Sequence, residues 1–130
     1  MSLVLDTCAV IWSILAPENL SAVAAKAITD EAGEVLVSPI SCAEIACAVE
    51  RGRLALDRHW KLWFRHFVEA SGWQIADIDL EIAKEAYSLP EYSRKDPADR
   101  IIVATARIRR CPLVTADRRL LEYPHVDCVW

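Results

Sequence analysis

The sequence predicts an α/β fold, a central and mainly parallel sheet flanked by helices on both faces. Two observations carry that prediction. Short apolar runs alternate along the chain with helical patterns of roughly 10 to 15 residues, the order that builds parallel strands joined by crossover helices. The chain is also 130 residues long, 54% hydrophobic and holds only three glycines, which suits one real core and is too short for two ordinary domains. One compact domain over residues 1–130 is expected.

The elements can be justified in chain order. "SLVL" (2–5) is a short buried strand, followed at once by a helical "TCAVIWSIL" and, after Pro17, by a second helix through "ENLSAVAAKAITDEA". "EVLV" (34–37) is the next strand, and "SCAEIACAVERG" a helix stopped by Gly52. An aromatic helix near 57–70, "WQIADI" (73–78) as a strand and a helix near 79–88 continue the pattern. "DPADRIIVATARI" then reads as an N-capped helix with proline at its first position. "PLVT" (112–115) is a strand, "DRRLLEY" a short helix or turn, and "HVDCVW" a last strand.

Composition narrows the function. Nothing approaches the roughly 18 to 20 uncharged apolar residues that span a bilayer, and no signal-peptide pattern opens the chain, so a soluble cytoplasmic protein with no membrane partner is expected. The five cysteines, Cys8, Cys42, Cys47, Cys111 and Cys128, are odd in number and form no C-x-x-C pair. They are expected to be small core residues in a reducing compartment. The net charge of −4 is uneven: residues 94–119 hold eight Lys/Arg against three Asp, a balance of +5, which leaves −9 elsewhere. A local basic face is compatible with that acidic total.

Acids occupy the places where such a sheet binds ligands, the carboxyl ends of strands and the helix starts after them. Asp6 follows the first strand, Glu44 follows the second, Asp96 and Asp99 open a helix, and Asp117 follows "LVT". Taken singly, each has a plain alternative as a helix cap; Ser41 to Glu44 even fits a capping box. Taken together they would repel, since two charges about 4 Å apart at an effective dielectric near 20 cost around 4 kcal/mol. A hard divalent cation removes that repulsion. An all-oxygen set without His or Cys ligands favours Mg²⁺, with Mn²⁺ as a substitute, over zinc.

These motifs resemble the PIN domain and, within it, the VapC-like toxin ribonucleases of prokaryotic toxin–antitoxin pairs. "LVLDTCAVIW" is similar to the family's "LLDTHALLW", "SPISCAEIACAVERGRL" to its second acidic motif, "KDPADRIIVATA" to "DPFDRLIIATA", and "LVTADRRLLEY" to its closing motif. The resemblance spans essentially the whole chain. It implies Asp6, Glu44, Asp99 and Asp117 as the catalytic and metal-holding acids, with Asp96, Thr7 and Thr115 as accessories. It also implies hydrolysis of RNA by a metal-activated water with one or two Mg²⁺, a cognate antitoxin and a homodimer. Cys8 and Arg94 depart from it, each standing where relatives often have histidine.

Arg100, Arg107, Arg109, Arg110, Arg118 and Arg119 are candidate phosphate contacts, with an ordinary solvated surface as the alternative. In "HWKLWFRHF", Trp60, Trp63, Phe64 and Phe67 recur at i, i+3, i+4 and i+7, one stripe of a helix. The stripe is either core or, with Trp12 and Leu54, an accessible face for the antitoxin. Two other functions compete. A metal-dependent phosphatase with an aspartyl nucleophile generally wants a second Asp two residues after the first, where this chain has Cys8. A non-catalytic PIN-like binding domain would use the acids only as caps.

Overall fold

The computed structural model describes residues 1–130. Its sheet has five strands, β1 (Ser2–Leu5), β2 (Glu34–Val37), β3 (Gln74–Ile75), β4 (Leu113–Val114) and β5 (Cys128–Val129). The helices are α1 (Thr7–Leu15), α2 (Ala22–Thr29), α3 (Pro39–Glu50), α4 (Trp60–Ala70), α5 (Leu80–Ala86), α6 (Pro97–Arg109) and α7 (Arg118–Leu121). The strand order is β3-β2-β1-β4-β5, and every pairing is parallel. The predicted α/β class holds.

Strand alternation sends side chains to two faces. Leu3, Leu5, Val35 and Val37 join a core formed with α1, α2 and α4, while Val4, Leu36 and Leu113 join Ile102, Val103 and Ala106 of α6 with Leu120 of α7. α5 lies outside α6, where Ile82 and Ala86 meet Ala104. Helices therefore cover both faces, as β-rich apolar runs in parallel sheets require. The chain winds from β1 outward through β2 and β3, then returns to the other side of β1 for β4 and β5. That reversal opens a crevice at the carboxyl ends of β1 and β4.

Several expectations need correction. The long second helix is split into a 3₁₀ turn at Pro17–Asn19 and α2, because the Ser21 hydroxyl accepts from the Ala24 N–H and caps a new start. "WQIADI" pairs only at Gln74–Ile75, since its neighbour β2 runs out at Ser38-Pro39 and proline offers no N–H. α3 starts two residues before Ser41, capped by Ser38, so the Ser41–Glu44 capping box does not form. The cysteines are not core residues: Cys8 and Cys47 are exposed and the other three half-buried. The aromatic stripe divides. Trp63 (1% exposed) and Phe64 (5%) belong to the core beside Leu5 and Val37, and as accessible partner contacts they are ruled out. Trp60, Phe67 and Leu54 pack on that core half-buried, and Trp12, also half-buried, lies against the Trp130 ring at 5.7 Å between centroids. No helix is long and apolar enough to cross a membrane.

Candidate active site

Each acid reaches the crevice by the local logic of its own element. β1 ends at Leu5, and Asp6 turns the chain into α1 by accepting the Thr7 N–H at 2.7 Å on Oδ1. Asp96 caps α6 through the Ala98 N–H, and Asp117 caps α7 through the Arg119 N–H, both at 2.9 Å. Capping is thus real for three of the acids. Glu44, inside α3, and Asp99, in the first turn of α6, cap nothing; helix ends do not explain them.

Hydroxyls join the acids into one network. The buried Thr115 donates to Asp6 Oδ2 at 2.8 Å and accepts the Asp117 N–H at 3.0 Å. Thr7 donates to Glu44, which leaves the Ser41 hydroxyl, 2.8 Å away, to donate to Thr7. Arg94 closes the circuit: Nη2 lies 2.5 Å from Asp99 Oδ2 and Nη1 2.8 Å from Asp117 Oδ2. β1, α3, α6 and the β4–α7 junction are tied together at the switch point. Asp96 touches the network only through its field.

The electrostatics are those of crowded carboxylates. Burial pushes Asp6 up, against hydrogen bonds from Thr115 and the Thr7 N–H, and Asp117 adds to the push. Glu44 is raised by burial too, with Asp96 and Asp6 contributing. Asp99 is pushed up to about 7, chiefly by burial, because Asp6, Asp96 and Glu44 offset the relief from Arg94. Asp117 goes the other way: burial is outweighed by the Arg119 N–H and the Arg94 guanidinium, and its carboxyl is lowered. The Cys8 thiol sits within reach of all four acids, and their charges add to partial burial in raising it to about 11. Without a cation it is therefore a protonated neighbour of the acids.

No three carboxylate, imidazole or thiol side chains already converge as a cage for an ion. Glu44 is turned to Thr7, and Arg94 holds Asp99 and Asp117. The chemistry of the donors still fits a hydrated Mg²⁺, which needs only one or two direct carboxylates and keeps several waters. An all-oxygen, like-charged set is also what such a cation relieves.

The arginines separate by role. Arg107 donates to Glu85 at 3.0 Å and to the His125 carbonyl, and Arg100 donates to the Ala86 carbonyl at 3.1 Å while lying over the rings of Tyr87 and Tyr92. Both hold helices together and are poor phosphate contacts, a correction to their expected role. Arg109, Arg110, Arg118 and Arg119 are exposed. Arg94, expected only as a departure from the usual histidine, proves to be the cation of the cluster. A hollow of about 270 Å³ lined by Tyr92, Arg94, Arg119 and Tyr123 opens beside it.

Comparison with known proteins agrees with this architecture. Residues 3–126 match the family model of the PIN domain. The chain is 35% identical over 124 residues, 95% of its own length and 93% of the relative's, to Ribonuclease VapC22 of Mycobacterium tuberculosis. In fold it resembles a chain of the VapBC2 complex of Rickettsia felis bound to promoter DNA (TM-score 0.69, 15% identity, 98% of this chain and 97% of that one). It also resembles a chain of DNA-bound VapBC from Salmonella typhimurium (TM-score 0.64, 17% identity, 98% and 96%). A chain of the toxin–antitoxin complex of Klebsiella pneumoniae has TM-score 0.63 and 21% identity over 95% of this chain and 94% of that one. With nearly the whole length accounted for, the chain belongs to the PIN domain family.

Proposed function

We propose that this chain is a Mg²⁺-dependent endoribonuclease toxin of the VapC type, restrained by a cognate antitoxin. The observation that carries the proposal is the meeting of Asp6, Glu44, Asp99 and Asp117 in one network at the switch point, two of them serving no helix end. The similarity to a ribonuclease over nearly the whole chain supports the reaction class. The fold likeness to chains of toxin–antitoxin complexes supports the partner. A binding domain that used its acids as caps would account for Asp6, Asp96 and Asp117 and leave Glu44 and Asp99 unexplained.

Asp6, Asp99, Asp117 and Glu44 would hold the cation. When bound, Mg²⁺ supplies charge neutralisation at a phosphoryl oxygen and makes a water easier to ionise. The protein's own part is orientation and proton handling. Thr115 and the Thr7 N–H fix both oxygens of Asp6, and Thr7 fixes one oxygen of Glu44. That leaves the raised Glu44 carboxylate able to take a proton from an attacking water. Arg118 and Arg119, exposed after Asp117, and Arg109 and Arg110 at the far end of α6, offer charge for the RNA backbone. The half-buried Leu54, Trp60 and Phe67 offer apolar surface for the antitoxin tail, with Trp12, beside the Trp130 ring, as a further candidate. The active form is a homodimer in the cytoplasm, where RNA is available and exposed thiols stay reduced.

Asp6→Asn and Asp99→Asn test the reaction. Each keeps the side-chain shape and should lower RNA cleavage in Mg²⁺ by about a hundredfold or more, with thermal unfolding still cooperative. EDTA should abolish wild-type cleavage reversibly. Full activity in EDTA overturns the metal-dependent reading.

A further inference from the structure

The loop between α5 and α6 is shaped around one side chain. Glu91 holds a left-handed backbone, φ 51°, without being glycine, a conformation that persists only when neighbours enforce it. The Tyr123 hydroxyl donates to the Pro90 carbonyl at 2.6 Å, and Tyr92 stands edge-on to the Tyr123 ring with Arg100 above it. So anchored, the loop delivers Arg94 between two acids from different elements. One belongs to the first turn of α6 and the other caps α7, 23 residues away from Arg94 in sequence. The side chains are only 17%, 11% and 27% exposed for Arg94, Asp99 and Asp117, so this is no solvated surface pair.

A guanidinium placed this way balances charge but cannot polarise a water as a divalent ion does. Its two NH₂ groups take up an oxygen of each acid, Oδ2 in both cases. On Asp117 the other oxygen, Oδ1, already accepts the Arg119 N–H, so the oxygen that Arg94 holds is the one left for a cation. We propose that Arg94 is an internal counter-ion, standing at Asp99 and Asp117 in the charge position of the divalent cation, so that loading the cation requires the guanidinium to leave. This deepens the metal-dependent function proposed above and rests on it. The hollow beside the cluster, lined by Tyr92, Arg119 and Tyr123, gives the displaced side chain a place next to the incoming RNA.

Mn²⁺ titration followed by electron paramagnetic resonance, without RNA, tests the assignment on wild type, Arg94→Gln, Arg94→Lys and Lys95→Gln. Removing a charge that competes in contact with the ligands should tighten Mn²⁺ binding by about tenfold or more in Arg94→Gln. Arg94→Lys, which keeps the charge and loses the two-pronged grip, should fall between. Lys95→Gln removes the same charge one residue on from an exposed position and should stay within about twofold. In EDTA the Arg94→Gln protein should melt below wild type, and Mn²⁺ should raise its melting temperature by more. Unchanged or weaker Mn²⁺ binding in Arg94→Gln, or an equal gain in Lys95→Gln, overturns the counter-ion role and leaves the metal centre standing. Absence of saturable Mn²⁺ binding in every protein overturns the metal centre itself.

Discussion

Asp99 lies in the first turn of α6, where a negative charge is favoured by the helix, yet it is 8% exposed and surrounded by other acids. Burial wins, and its carboxyl titrates near 7 instead of 3.8. The folded state thus holds this proton more tightly than the unfolded chain. Its contribution to stability is full below the ordinary carboxylate value and is lost as pH rises through about 7. In EDTA, urea unfolding of the wild type should therefore show a decline across that window, and Asp99→Asn should flatten it. An unaltered pH profile in the variant would mean that Asp99 is not the group responsible. Much of this site was legible residue by residue, because an acid directly after a strand is visible in one dimension. The part played by Arg94 was not, since its partner Asp117 lies 23 residues on and only the folded loop brings them together. Glu44 shows the opposite: its spacing from Ser41 suggested a capping box, but Ser38-Pro39 began the helix earlier and freed Glu44 for Thr7.

At the scale of elements, the alternation of apolar runs with helical stretches placed every strand and helix, and the errors fell on lengths. A strand exists only as far as its neighbour offers backbone partners, so β3 ends where β2 meets Pro39 although Ala76 and Ile78 prolong the apolar pattern. A hydroxyl at the right offset can restart a helix, as Ser21 does for α2. The aromatic stripe of α4 was correctly a single helix face, but a face is wider than a contact. Trp63 points into the core, whereas Trp60, one turn earlier, stays half-buried. Trp63→Ala should then destabilise the fold by about 3–5 kcal/mol and Trp60→Ala by clearly less, as measured by urea denaturation. If both lose the same stability, the division of the stripe is wrong.

For the whole molecule, the strand order matters more than any one element. The hydrogen bond from Thr115 to Asp6 joins residues 109 apart, and β1 acquires its second neighbour only with β4. During synthesis at roughly 5 to 20 residues per second, Asp6 therefore waits several seconds before Thr115, Asp117 and their strand exist. On the function proposed above, an incomplete chain has no working site, because it lacks one of the four acids and the hydroxyl that aims Asp6. Ribosome-stalled chains ending at residue 111 should accordingly show no Mn²⁺ binding and cut no RNA, while full-length released chains do both. If the chain has the proposed activity, late closure of the sheet acts as a delay fuse on it during translation.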